Sequence, residues 1–232
     1  MPLENDLDVL YEDNHLLVLN KPAGLPTMGA ESGEPSLWER AKRYLKHKYN
    51  KPGNVYLGVV SRVDSLVTGV VIFARTSKAA ARLSDQFRRG DVDKEYWAIV
   101  ESPPQPPAGS CQDWVFKDDL QHRMRISETD DSDAKWARLT YETRQRLPRG
   151  TWLVVRLETG RKHQIRLQLA HRGWPVLGDG KYGATSSFPA GIALHARRLR
   201  LNHPVGNQPL EFIAPSPPCW RDFGVRNPSE KP

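Results

Sequence analysis

Residues 55–60 and 70–74 are two apolar, β-branched runs on either side of the polar insert Ser61-Arg62-Val63-Asp64-Ser65-Leu66-Val67-Thr68-Gly69. Runs of that composition suit strands buried in a sheet, so the insert is predicted to be a loop held between rigid elements. It carries one carboxylate, Asp64, and loops on such scaffolds are where catalytic groups concentrate. Taken alone, the same residues also allow a turn Asp that caps its own backbone. A solvated Arg62–Asp64 pair is a further possibility and would contribute little. The rest of the chain has to decide among these.

A chain of 232 residues can bury a proper core as one large domain or two small lobes. Mean hydropathy is −0.61, and no run approaches the roughly 20 apolar residues of a membrane span, so a soluble protein is expected. The N-terminus is acidic and lacks the basic and apolar regions of a signal peptide. Cys111 and Cys219 lie far apart and outside any C-x-x-C, which suits free thiols in a reducing cytoplasm. The formal charge of +7 favours a polyanionic partner without identifying it.

In chain order, residues 7–11 and 16–19 are predicted to form a hairpin, broken by Lys21-Pro22-Ala23-Gly24. Ser36-Leu37-Trp38-Glu39 is a capping-box pattern opening a helix in which Leu37, Ala41, Tyr44, Leu45 and Lys48 follow helical spacing on one face, opposite a basic outer face. Thr76-Ser77 caps a second helix, with Ala80, Leu83 and Phe87 inward and Gly90 as its stop. Residues 94–100 read as a strand, and the four prolines within 102–109 mark a connector or lobe boundary. Residues 128–133 read as an acidic, solvated loop. Strands are predicted at 135–146, 152–157, 193–201 and 210–214. Between them lies a helix that starts after Gly160 and stops at Gly173, with Ile165 and Leu169 on its buried stripe. Arg161, Lys162 and His163 gather at its start, where free amides bind phosphate readily; plain surface charge is an equal alternative for Arg161 and Lys162. Residues 215–232 read as a loosely held tail.

The order of these residues resembles that of a known family. Arg62-Val63-Asp64 followed by Thr68-Gly69 is similar to the H-R-L-D-x-x-T-S-G signature of the RluA-type RNA pseudouridine synthases, with Ser61, Val63, Val67 and Thr68 departing from it. Lys94-Glu95-Tyr96 resembles the family K-x-Y. Residues 157–166 are similar to L-x-T-G-R-x-H-Q-I-R, and Pro175 to Gly183 to its continuation. Leu194-His195-Ala196, His203-Pro204 and Ala214-Pro215 match the closing strands, so the blocks follow family order from about residue 7 to 218.

The resemblance implies an α+β pseudouridine synthase fold, a mixed, mostly antiparallel sheet flanked by helices with a central active-site cleft. It implies one catalytic domain over residues 1–232, with no separate N-terminal RNA-binding module. The implied reaction isomerises uridine in ribosomal or transfer RNA to pseudouridine, with neither cofactor nor metal. Asp64 takes the nucleophile's place and acts at the ribose as nucleophile or as base, Arg166 pairs with it and keeps it ionised, and Tyr96 stacks on the detached uracil. Arg62 enters the space left by the flipped nucleotide. Thr68, Lys94, Arg161, Lys162, His163, Gln164 and Ile165 complete the substrate-binding set. The partner implied is RNA, for a cytoplasmic monomer with no membrane contact. The departures around Asp64 leave a second expectation, a catalytically weak relative that binds and remodels RNA.

Overall fold

The computed structural model describes residues 7–29, 35–130 and 133–226. The chain divides into two compact units, Met1–Val92 with Ala196–Pro215, and Asp93–His195 with Ser216–Pro232. The division follows Val92, and the proline-rich 102–109 lies inside the second unit, where Ala108 already begins a strand.

In the first unit, β1 (Asp8–Glu12) and β2 (Leu16–Lys21) form the expected antiparallel hairpin. The short β3 (Gly58–Val59) and the fully buried β4 (Thr68–Ala74) flank the Asp64 loop. β4 pairs antiparallel with both β2 and β3. Of residues 55–60 only Gly58 and Val59 pair as strand, since their partners are Ala74 and Phe73 at the far end of β4. The capping box of α1 (Leu37–Lys48) is present in full, and Leu37, Ala41 and Leu45 are buried. In α2 (Ser77–Arg89) the Thr76 hydroxyl accepts from the Ala79 amide, and Gly90 at φ 80° ends the helix. Ala79 and Leu83 pack with Leu16, Val18, Val70 and Ile72, while Ala80 and Phe87 are only partly buried at the edge of that cluster. Burying a side chain such as Leu83 stabilises by about 1.5–3 kcal/mol.

The second unit carries the order β5 (Asp93–Val100), β9 (Gly150–Leu157), β8 (Lys135–Leu147), β6 (Ala108–Asp118), β7 (Arg123–Ser127), every neighbour antiparallel. β6 and β7 were not foreseen, because Asp113 and Lys117 interrupt the apolar face of β6 and β7 is only five residues long. α3 (Gln164–His171) packs Leu167 against Val115, Met124 and Ala137 of that sheet, and Arg172 pairs with Asp113 at 3.0 Å. β10 (Leu194–Asn202) and β11 (Pro209–Ile213) close the strand list as an antiparallel pair. The architecture is therefore α+β and mostly antiparallel, as expected.

The tail differs from its reading as loosely held. Residues 218–223 form a 3₁₀ turn, and Trp220 is fully buried beside Trp97, Phe188 and His195. One large indole in an apolar setting outweighs the prolines around it. Residues 227–232 lie outside the described residues, as do Asp131 and Ser132 of the acidic loop. Both cysteines are free thiols. Among the described residues no helix is long and apolar enough to cross a membrane.

Candidate active site

In the first unit the site residues Arg62 and Asp64 stand on one loop, Thr68 opens β4 directly after it, and backbone atoms hold that loop in place. Val63 is locked by Thr27, whose hydroxyl donates to the Val63 carbonyl at 2.7 Å and accepts from its amide at 3.1 Å. On the other side of Asp64, the Ser65 carbonyl accepts from the Gly24 amide at 2.8 Å and from Lys21 Nζ at 2.9 Å. A turn bond from the Val67 amide to the Asp64 carbonyl, 3.1 Å, closes the bend. Val63 and Val67 point into the core, whereas Arg62, Ser65 and Leu66 are exposed and Asp64 is half-buried between them. Two of the four departures from the family signature are thus apolar plugs under the loop.

Gly69 is required by what it touches. It sits at φ 110°, and a Cβ there would lie 2.3 Å from the Ala196 carbonyl oxygen. Lys21, 1% exposed, donates to the Pro22, Leu25 and Ser65 carbonyls at 2.8, 2.8 and 2.9 Å. Burial pulls its ammonium down to about 7, and the charge of Asp64 opposes that fall. The three carbonyl acceptors oppose it as well, since they favour the charged form. Sequence reading missed Lys21. A lysine after an apolar strand reads as a solvated end, and no local pattern signals that the following loop folds back over it.

In the second unit, Tyr96 lies on β5 opposite Val155 and is half-buried. Its neighbour Glu95 pairs with Arg156 at 3.3 Å. Lys94 Nζ reaches the Thr159 carbonyl at 3.4 Å. Burial, and secondarily the nearby Arg161 guanidinium, lower its pKa. Gln164 is a bolt. Its side-chain oxygen accepts from the Thr159 hydroxyl at 2.8 Å and from the Arg161 amide at 2.9 Å, and its Nε2 donates to the Arg138 carbonyl at 3.0 Å. One of the amides expected to be open at the helix start is therefore already satisfied. Ile165 is in the core, Lys162 is exposed, and Arg161 Nε donates to the Trp136 carbonyl. His163 takes φ 53° as it turns the chain into α3, and its Nδ1 bonds the Tyr182 hydroxyl at 2.8 Å.

Arg166, on the same helix, is almost fully buried. Its Nε and Nη2 donate to the two carboxylate oxygens of Asp179 at 2.7 and 2.8 Å, and its guanidinium lies 5.1 Å from the Tyr182 ring centre. The resemblance brought Asp179 and Tyr182 into a motif, but the 13-residue gap from Arg166 gave no sign of the ion pair. Among the described residues no group of three or more His, Cys, Asp or Glu is arranged to hold a metal ion.

The family described as RNA pseudouridylate synthase matches residues 15–171. Ribosomal large subunit pseudouridine synthase D of Xanthomonas campestris pv. campestris is 35% identical over 231 residues, 93% of this chain and 68% of its own length. Dual-specificity RNA pseudouridine synthase RluA of Haemophilus influenzae is 31% identical over 93% of this chain and 95% of its own. The structure of Human RNA Pseudouridylate Synthase Domain Containing 4 shares the fold, with a TM-score of 0.78 at 24% identity over 95% of each chain.

Proposed function

Because the chain belongs to the RNA pseudouridylate synthase family, of the RluA type, we propose that it isomerises a uridine of ribosomal RNA with Asp64 as the nucleophile. The observation that carries this reading is the Asp64 loop, pinned through the backbone of Val63 and Ser65 while the carboxylate between them stays half-exposed. Such anchoring pre-orders a reactive group, and orientation is a large part of what lowers a barrier.

Asp64 attacks the ribose C1′ and forms an ester there as the N1–C1′ bond breaks; the uracil then turns, and C5 displaces the Asp64 carboxylate from C1′ to form C5–C1′. The proton lost from C5 balances the one gained at N1, so product and substrate are isomers. Arg166 steadies the negative charge of the reacting groups, and Tyr96 stacks on the detached base and assists removal of the C5 proton. Reaching the glycosidic bond requires the nucleotide to leave its stack, and the exposed Arg62 takes its place. Thr68 closes the Asp64 loop. Lys94, Arg161, Lys162 and His163 hold phosphates, with Gln164 and Ile165 acting through the helix start that they fix. The solvent face of α1 adds Lys42, Arg43 and Lys46, while the nearby Glu12 is occupied by Tyr44, Lys48, Tyr49 and Arg75. With this substrate the reading includes a cytoplasmic protein that acts as a monomer. Transfer RNA is the second substrate to assay, given the dual specificity named for the Haemophilus influenzae relative.

Tritium release from RNA labelled at uracil C5 tests the reading. Release is expected from the intact protein and at background level only from Asp64→Asn, which still binds RNA. If Asp64→Asn loses binding and release together, Asp64 is structural and the nucleophile assignment fails. Reversing charge at Arg43 and Lys46 is expected to reduce the salt dependence of binding by about one phosphate contact each, with turnover unchanged.

A further inference from the structure

Resting on the role proposed for Arg166, we propose that Asp179 is its positioning residue, fixing the guanidinium plane so that the Nη1 side meets the reaction at one angle. Arg166 and Asp179 are 3% and 1% exposed, and they join through two parallel bonds, Nε to Oδ2 and Nη2 to Oδ1. A two-point fork sets both position and plane, which a single bond to a rotatable side chain does not. Stability is a poor reason for such a pair, because removing two charges from water offsets most of their attraction.

The turn that carries Asp179 is itself fixed. The Asp179 amide donates to the Val176 carbonyl at 3.0 Å, and the Asp179 carbonyl accepts from the Tyr182 and Ala184 amides at 3.0 and 3.1 Å. Gly178 before it has φ 82°, and a Cβ there would meet Phe188 Cβ at 2.8 Å and the Gly191 carbonyl oxygen at 2.9 Å. The same turn places the Tyr182 ring against the guanidinium. The Tyr182 hydroxyl bonds His163 Nδ1 and accepts from the Met124 amide at 3.2 Å. One short segment therefore grips the arginine by its edge and by its face, and ties that grip to the residue that opens α3.

The test compares the intact protein, Asp179→Asn, Arg166→Met and the double variant by C5 tritium release at saturating RNA, at a temperature where each is folded by circular dichroism. Asp179→Asn is expected to lower kcat on the order of 100-fold, the scale of an ångström-sized misplacement, with KM unchanged. It is expected to cost nothing further when Arg166 is already Met. The inference is overturned if folded Asp179→Asn turns over normally, or if its loss is the same in the Arg166→Met background. Should Asp179→Asn not fold, Asp179→Glu keeps the charge pair and shifts the carboxylate. A lowered kcat then supports the inference and a normal kcat overturns it. Normal turnover in Arg166→Met removes the role of Arg166 itself. A slow Arg166→Met beside a normal Asp179→Asn removes only the role of Asp179.

Discussion

The loop that carries Asp64 and the side chain of Arg166 are fixed by different means. The Asp64 loop is fixed through main-chain atoms on both sides of the carboxylate, Val63 by Thr27 and Ser65 by Gly24 and Lys21. Arg166 is fixed through its side chain, by the Asp179 carboxylate and the Tyr182 ring. The difference follows from side-chain length. An Asp has two torsions and goes where its backbone goes, whereas an Arg carries about 2 kcal/mol of rotamer entropy and must be gripped at its end.

Breaking the side-chain grip is expected to have the largest effect. Arg166→Met leaves Asp179 buried and uncompensated and is expected to cost about 3–5 kcal/mol by denaturant unfolding. Changing both residues to apolar ones of similar volume is expected to restore most of that stability and none of the turnover. Such a result would separate what the pair does for folding from what it does for chemistry.

Breaking the main-chain grip is expected to cost less. Lys21→Met deprives three carbonyls of a donor, about 1–3 kcal/mol in total if the loop relaxes, and lowers kcat through Ser65 more than KM. Equal kcat in that variant would show that the Asp64 loop holds its shape without the lysine. The pH dependence sharpens the point. Lys21 titrates near 7 when folded against 10.5 unfolded, so between those values the unfolded chain binds the extra proton. Stability of the intact protein relative to Lys21→Met is therefore expected to rise as pH increases from about 7 toward 10.5. A flat difference in unfolding free energy over that window would show that the carbonyl cage keeps the ammonium charged. The smallest change is expected from Thr27→Val, which orphans the Val63 amide and carbonyl for about 1–2 kcal/mol of stability.

What could be read in advance was whatever repeats locally. The hairpin of β1 and β2, the capping box of α1, the Thr76 cap and Gly90 stop of α2 all depend on residues within a few positions of one another. The inward face of α2 was read about one residue off, because Ala79 and Ala80 are equally apolar and only packing against β2 and β4 distinguishes them. β6 escaped notice since Asp113 and Lys117 share the face of the buried Cys111 and Val115, which breaks the alternation that marks a strand, and β7 spans only five residues.

By itself, the sequence determined most of the local elements, the family and the residues proposed to carry the chemistry, because periodicity, caps and motif order are written within short stretches. Only the tertiary structure decided what holds those residues. Lys21 reaches Ser65 across 44 positions and Asp179 reaches Arg166 across 13. Trp220 turns an apparently loose tail into core. Contacts at such separations depend on where the chain returns in space, and a one-dimensional pattern does not encode that path.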